Sequence, residues 1–325
     1  MRSLYASQYL VPAEMSWKRF EEKERQRIRP DISSSVTVGT DLRTIWAGAT
    51  EGQPTRNFFQ MQGDLYLEFA ADDRFAANLN VDQTGSTEIY GIGWLLPWSG
   101  YVKAGRFVPA FGWRFADHNL FTREELGFDQ PFNTDAGIEF GVRPGGVAIH
   151  AAILNGEPGS NPGWDQNRDV AWLGNALWQF QLASVGVGLG GSFYYNRNEP
   201  SATGGDPRTQ GSSYGYLNWR RWSWLWEVDA SRLGDGMGAT TKLVTTHEVG
   251  VQLGPGIDVL ATYNYADPNL DGKTGRQARY GVGFALRPVP CVDMQAMLNA
   301  YRFDEGSEVA GEEFLRGEVQ VHLFY

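Results

Sequence analysis

Three stretches of the chain carry residue types and spacings that often do chemistry. Gly186-x-Gly188-x-Gly190-Gly191 has the glycine spacing of a phosphate-cradling loop. Such a loop must open a helix whose first amides hold the phosphate. Here the neighbouring residues alternate as a strand and no helix pattern follows, so nucleotide binding is not expected. Asp267-x-Asn269-x-Asp271-Gly272 copies the first half of a calcium loop, but position twelve is Ala278 instead of the bidentate glutamate. An ordinary polar turn is expected. His118, His150, His247 and His322 fall on separate segments without metal-ligand spacing, and the single Cys291 excludes a disulfide framework or a Cys-based zinc site. Neither a metal nor a cofactor is expected. His118 beside Asp117 is the sole local hint of acid–base chemistry, and no serine nucleophile adjoins it. An enzyme at a barrel rim is therefore the disfavoured reading.

The remaining charged residues are distributed differently. Most sit at every second position within long segments whose other positions are apolar. Phe59, Met61, Leu65, Leu67 and Phe69 alternate with Gln60, Gln62, Asp64, Tyr66 and Glu68. Successive side chains of a strand point to opposite faces, so each such segment has one apolar and one polar side. About sixteen segments read this way: 32–48, 57–71, 74–83, 86–96, 101–112, 134–144, 146–155, 168–183, 185–197, 209–222, 224–235, 241–253, 257–267, 276–287, 291–304 and 311–325. Most have ten or more residues, and a tilted strand needs about 9–11 to cross a bilayer.

Composition agrees. The chain has 325 residues, with Lys+Arg 28 against Asp+Glu 38, a formal charge of −10, 40 glycines and 12 tryptophans. It is too aromatic for disorder and too acidic for general nucleic-acid binding. No apolar run approaches the length of a transmembrane helix. The connections alternate between tight and long. Asp72-Asp73, Pro97 to Gly100, Pro144-Gly145, Ala183-Ser184, Gly254-Pro255-Gly256 and Pro288-Val289-Pro290 are tight, whereas Glu157 to Asn167, Asn198 to Arg208 and Asp267 to Gly275 are long and polar. Transmembrane barrels have this asymmetry, short turns inside and long loops outside. A propeller would show a repeat of about 40–50 residues, which the chain lacks.

These observations predict an all-β fold: a transmembrane antiparallel up-and-down β-barrel over residues 32–325, preceded by a charged periplasmic arm, residues 1–31. Residues 1–11 lack the continuous apolar core of a secretory signal, so no leader is expected within them. Parity then assigns the lumen. Asp64, Glu68, Glu139, Glu248 and Glu318 point inward with Arg143 and Arg279, acids outnumbering bases. Residues 113–133 form the longest connection, by order the third outer loop. With Arg106 before it, this loop supplies Arg114, Asp117, His118, Arg123, Glu124 and Glu125 as candidate constriction residues. Thr122 followed by Glu125 has the spacing of an N-cap box, predicting a helical turn over 122–126.

Two resemblances sharpen this reading. The last strand, with Leu315, Val319, Val321, Leu323 and Tyr325 alternating with Arg316, Glu318, Gln320, His322 and Phe324, resembles the C-terminal assembly signal of bacterial outer-membrane proteins. The 113–133 connection resembles the third loop of general porins, which folds inward and narrows the lumen. Gly105 to Gly112 (GRFVPAFG) is similar to a segment of phosphate-selective-type porins and of the porin-like partners of multihaem cytochromes. The resemblance implies an outer-membrane, Gram-negative channel for ions and small hydrophilic solutes, mildly cation-preferring because the expected lumen is acidic. Outer-membrane lipid is the surrounding partner, and a homotrimer is compatible with the fold. The alternative implied is a sheath insulating a multihaem cytochrome in an electron conduit. The chain has no Cys-x-x-Cys-His, so it would hold no c-type haem itself.

Overall fold

A computed structural model describes residues 32–50, 56–83, 87–113, 120–128, 134–157, 169–201, 204–234, 238–272, 275–304 and 313–324. The arm at 1–31 and Tyr325 lie outside the described residues.

The alternating segments become sixteen strands in chain order. These are β1 (Val36–Ala49), β2 (Asn57–Ala70), β3 (Phe75–Asp82), β4 (Thr87–Leu96), β5 (Gly100–Phe107), β6 (Asp135–Val142), β7 (Val147–Leu154) and β8 (Ala171–Leu182), then β9 (Val185–Ser201), β10 (Gly204–Trp219), β11 (Trp222–Leu233), β12 (Thr240–Gly254), β13 (Ile257–Asp267), β14 (Gln277–Leu286), β15 (Val292–Phe303) and β16 (Glu313–Phe324). Each pairs antiparallel with its neighbours in sequence, and β1 pairs with β16 to close the barrel. Closure leaves no unpaired edge, which a lipid environment requires because it offers no partner to a backbone amide or carbonyl.

Sequential antiparallel order puts every second connection on the same rim. Asp72-Asp73, Pro255-Gly256 and Pro288 to Pro290 therefore share one rim with the start of β1 and the end of β16. The 155–170 and 268–276 connections lie on the other. The short turns are built by residues that tolerate left-handed backbone or hold it. Asp72 Oδ1 accepts from the amides of Arg74 and Phe75, both at 2.8 Å. Trp98, Ser99, Ala183, Arg220 and Cys291 all have positive φ.

The two faces separate as alternation requires. Val282 is 59 % exposed and Leu65 55 %, whereas Arg279 and Asp64 are 1 % and 2 % exposed. The apolar outward face suits lipid, and Trp98, Trp172, Trp178, Trp219 and Trp222 are among its exposed aromatics.

Three boundaries differ from the sequence reading. The 198–208 stretch is not a long loop. β9 and β10 continue into it, pairing Ser201 with Gly204 across a two-residue connection, with a bulge between Asp206 and Arg208. Beyond the apolar band a hairpin needs no lipid-facing side, so its polar sequence hid the ladder. β5 ends at Phe107 rather than at 112, because the chain turns inward and the amide of Val108 donates to Glu88 Oε1 (2.7 Å) instead of to a strand. The wall is also uneven. β5, β6 and β7 have 8 residues each, against 17, 16 and 15 in β9, β10 and β12.

The facing assignment has a direct consequence. Val282→Arg places a charge on the lipid face and is expected to cost about 2–4 kcal/mol of barrel stability near the midplane. Glu248→Arg, on the inward face, is expected to cost much less. Denaturant unfolding of both variants in lipid vesicles checks this; equal losses would reject the assignment.

Candidate functional site: the lumen and the loop that crosses it

The loop after β5 departs from the low side of the wall and leans on the tall side. Its departure is dictated by packing. Phe107 is fully buried on the inward face, with Lys103 Nζ 3.9 Å from its ring centre and Tyr90 edge-on at 6.3 Å. Gly112 then brings the backbone against β9 and β11. Its amide donates to Ser192 Oγ (2.9 Å), and the next amide, of Trp113, donates to Glu227 Oε2 (2.8 Å). Only glycine fits here: φ is +61°, and a Cβ would lie 1.8 Å from Glu227 Oε1.

The second half of the loop carries one helical turn, α1 (Phe121–Glu124), set against β12 and β13. Its N-cap is Leu120 and no side chain caps it. This corrects the expected Thr122 cap: the Thr122 hydroxyl is turned to the wall, 3.3 Å from Thr246 Oγ1. Lys242 Nζ contacts both the carboxylate (2.5 Å) and the carbonyl (3.1 Å) of Glu125, and Gln277 Nε2 donates to the same carboxylate at 2.8 Å. The Leu126 carbonyl accepts from Arg208 and from Gln210 Nε2 (3.2 Å). Phe128 stacks on Phe111 at 4.5 Å and meets Tyr194 edge-on at 5.2 Å.

Beneath these anchors lies an apolar cluster. Phe111, Phe121 and Leu126 from the loop, with Phe107 at the end of β5, pack on Leu154, Leu173, Tyr194 and Val244 from the wall, all 5 % exposed or less. The described part of the loop is thus bound to inward-facing side chains from β7 to β14. Its polar contacts carry position and its aromatic side chains carry burial energy, about 1.5–3 kcal/mol for each fully buried large apolar side chain.

The inward face divides into paired and clustered charges. Lys103 Nζ lies 2.8 Å from Glu139 Oε1, and Tyr101 donates to the same carboxylate at 2.6 Å. Glu318 is held by Arg316 at 2.8 Å and Asn299 at 2.9 Å. Arg279 stands 5.8 Å from the Phe121 ring centre. With the Asn264 amide turned so that Nδ2 donates to Thr246 Oγ1 (2.9 Å), its oxygen accepts from Arg279 Nη2 at 3.2 Å. Across β1, β2 and β3 the register places Asp41 opposite Asp64 and Asp64 opposite Asp82. Asp64 accepts from Gln62 (2.5 Å) and Tyr66 (2.8 Å), and Asp41 faces His322 at 2.8 Å. Glu227 and Asp229 are neighbours on the inward face of β11, both buried.

The candidates from sequence fall into four groups. Asp64, Glu68, Glu139, Glu248, Arg279 and Glu318 have inward parity in their strands, and Glu125 reaches the inward side of β12. Arg106 does not face the lumen. The ladder pairs it with outward Ile89, on the face opposite to Lys103 and Phe107, and its Nε donates to Thr134 Oγ1 at 2.7 Å. Arg143 lies past the end of β6 in a short turn, exposed at the rim, with its amide bonded to Trp98 O at 3.2 Å. Arg114, Asp117 and His118 lie outside the described residues, as do the side chains of Arg123 and Glu124.

Sequence reading missed Lys103, Arg208, Lys242, Asp82 and Glu88. Lys103 and Glu88 had a usable signal, since each alternates with apolar neighbours on its strand. Arg208 was hidden by the polar hairpin, and Lys242 sits at the outer end of β12, where parity is hard to read. The half calcium loop is a polar turn. Asp267 Oδ2 pairs with Arg276 at 3.1 Å, and its Oδ1 accepts from the Asn269 amide at 3.1 Å. Among the described residues no group of three His, Cys, Asp or Glu is arranged to hold a metal ion.

No protein-family model matches the chain, and no curated protein matches it in sequence. Solved structures do match in fold. An anion-selective porin from Comamonas acidovorans aligns with a TM-score of 0.63 at 11 % identity, over 90 % of this chain and 100 % of that one. The outer membrane channel DcaP of Acinetobacter baumannii gives 0.60 at 11 % identity, over 92 % and 100 %. OmpT of Vibrio cholerae in its trimer form, an outer membrane protein, gives 0.62 at 9 % identity, over 90 % and 99 %. The fold is that of the bacterial outer-membrane porins.

Gly112 is the sharpest test of the crossing. Gly112→Val adds a side chain where the Glu227 carboxylate lies and strains a positive φ, at about 1–3 kcal/mol. The loop is expected to leave β11 while the barrel still closes. Limited proteolysis should cut the 108–134 connection faster in the variant, with no change in the heat-modifiable mobility of the folded barrel.

Proposed function

We propose that the chain is an outer-membrane porin, a water-filled diffusion channel for ions and small hydrophilic solutes with a mild preference for cations. The observation that carries this reading is the loop between β5 and β6. It crosses the lumen and is clamped on the tall wall through Gly112, Trp113, Glu125 and Leu126. A wide barrel with one internal constriction sieves solutes by size. Its wall charge then biases which ions enter. The constriction set retained from the sequence is Glu125, with Arg114, Asp117, His118, Arg123 and Glu124 on the same loop.

The sign of the bias follows from the wall facing the loop. Asp41, Asp64 and Asp82 stand in register across three strands, with Arg43 3.8 Å from Asp41. A porin that aligns with this fold is anion-selective. The acidic inward face argues for the opposite selectivity here. The rival reading, a sheath around a multihaem cytochrome, requires an empty lumen, and a clamped crossing loop speaks against it. The proposal assigns the chain no catalysis.

Planar-bilayer recording under a salt gradient tests the proposal. Cation preference is expected at 0.1 M salt and should fade toward 1 M, as the Debye length shrinks from about 10 Å to about 3 Å. Deleting residues 117–129 should raise the conductance. Anion selectivity in the intact channel would overturn the assigned sign, and unchanged conductance after the deletion would remove the loop from the constriction.

A further inference from the structure

The glycine run Gly186-x-Gly188-x-Gly190 lies inside β9 and shapes the inner wall beside the crossing loop. These glycines share inward parity with buried Ser192, Tyr194 and Asn196, whereas Leu189 and Phe193 are exposed on the outer face. The ladder sets Gly190 opposite Tyr214 and Gly188 opposite Tyr216 on β10. Both tyrosine rings lie across β9 in the space that the missing side chains leave. A Cβ on Gly188 would be 2.2 Å from the Tyr216 ring, and one on Gly190 would be 2.4 Å from the Tyr214 ring. Each hydroxyl then reaches β8. Gln179 Nε2 donates to the Tyr216 hydroxyl at 3.0 Å, and the Tyr214 hydroxyl donates to Asn175 Oδ1 at 2.9 Å. Trp113 of the crossing loop completes the surface, its ring centre 5.9 Å from that of each tyrosine. Tyr214 is buried at the back of this shelf, while Trp113 and Tyr216 are half-buried and present part of a ring to the lumen.

The shelf is uncharged. From Asn175 to the short-turn rim, the inward positions of β8, β9 and β10 hold amides, serines, glycines, tyrosines and Leu177, with no acid or base among them. Glu227, opposite Tyr214 on β11, is 2 % exposed and already accepts from the Trp113 amide. The arc therefore differs from the row of aspartates on β1 to β3. An aromatic face carries the negative side of a quadrupole and attracts the weakly positive C–H face of a sugar ring. Side-chain amides beside it offer both a donor and an acceptor, as hydroxyl groups need. Aromatic surface with a few placed polar groups is how small uncharged ligands are commonly oriented. Tyr216, Gln179 and Asn218 lie on the short-turn side of the loop anchor at Ser192, so a solute that has crossed the loop meets them next.

We propose that Trp113, Tyr216 and Gln179 form a binding subsite for an uncharged sugar, with one pyranose ring on the Trp113–Tyr216 surface and its hydroxyls bonded to Gln179 and Asn218. The subsite rests on the channel reading and deepens it by naming a class of solute.

Maltotriose is the probe, with polyethylene glycol of similar mass as the control for plain volume. Titration calorimetry of the folded barrel in detergent needs no current, and planar-bilayer recording reads the channel separately. Maltotriose should bind and should interrupt the ion current at millimolar concentration, with the same affinity at 0.1 M and 1 M salt because neither partner is charged. The Trp113→Leu/Tyr216→Leu variant should bind about tenfold more weakly or worse, the loss of two ring contacts. Tyr216→Phe keeps the ring and should stay within about twofold of the parent. Gln179→Ala changes an exposed side chain, so it keeps the test open if the double variant fails to close, and should cost about threefold. Absence of binding, an equal effect of polyethylene glycol, an affinity that falls at 1 M salt, or variants that bind like the parent would overturn the subsite and leave an ion-conducting channel intact. Sugar binding that depends on these residues, in a barrel that passes no current, would support the subsite and count against the channel reading.

Discussion

The structure depends on one constraint: in lipid, every backbone amide and carbonyl must find its partner within the protein. A β-sheet meets it only by closing, and β1 pairing with β16 performs the closure here, from Asp41 opposite Phe324 to Ala49 opposite Arg316. Closure then fixes the facing of every side chain. Leu323 and Val319 must point to lipid because His322, Gln320 and Glu318 point inward, and a one-residue slip would exchange the two sets. The apolar outer face and the charged inner face are thus two consequences of one hydrogen-bond requirement.

Inside the barrel the problem is reversed. Polar wall groups are cheap when wet, but a loop laid over them removes their water. The crossing loop is stable because its own backbone replaces that water. The amides of Gly112 and Trp113 satisfy Ser192 and Glu227, the Leu126 carbonyl meets Gln210, and Glu125 meets Lys242. The aromatic residues between these anchors bury on Leu154, Leu173 and Val244. Apolar burial supplies the gain and the hydrogen bonds limit the desolvation cost, so the described part of the loop is held by complementarity to the tall wall of β9 to β12.

Charge placement follows the same division. Glu139 and Glu318 are each shared between a basic and a neutral donor, which holds them as parts of the wall. Asp41, Asp64 and Asp82 are stacked across neighbouring strands, a like-charge arrangement that costs stability and is eased by His322, Gln62 and Tyr66. That row adds negative charge to the inward face.

The sequence by itself determined the strand number, the up-and-down order, the rim on which each turn lies and the facing of most side chains. It could do so because alternation is a local property with a period of two, and because lipid punishes every exception. It also marked the 113–133 connection as unusual by length and aromatic content. It did not determine where that connection docks, since Gly112 meeting Glu227 and Glu125 meeting Lys242 are separated by more than a hundred residues. Nor did it reveal that β9 and β10 extend through polar residues, because above the bilayer the outward face loses its apolar signature. Arg106 shows the limit most clearly. Its type and its place beside the loop suggested a lumen residue, but register with Ile89 turns it outward, and register is a property of the closed sheet.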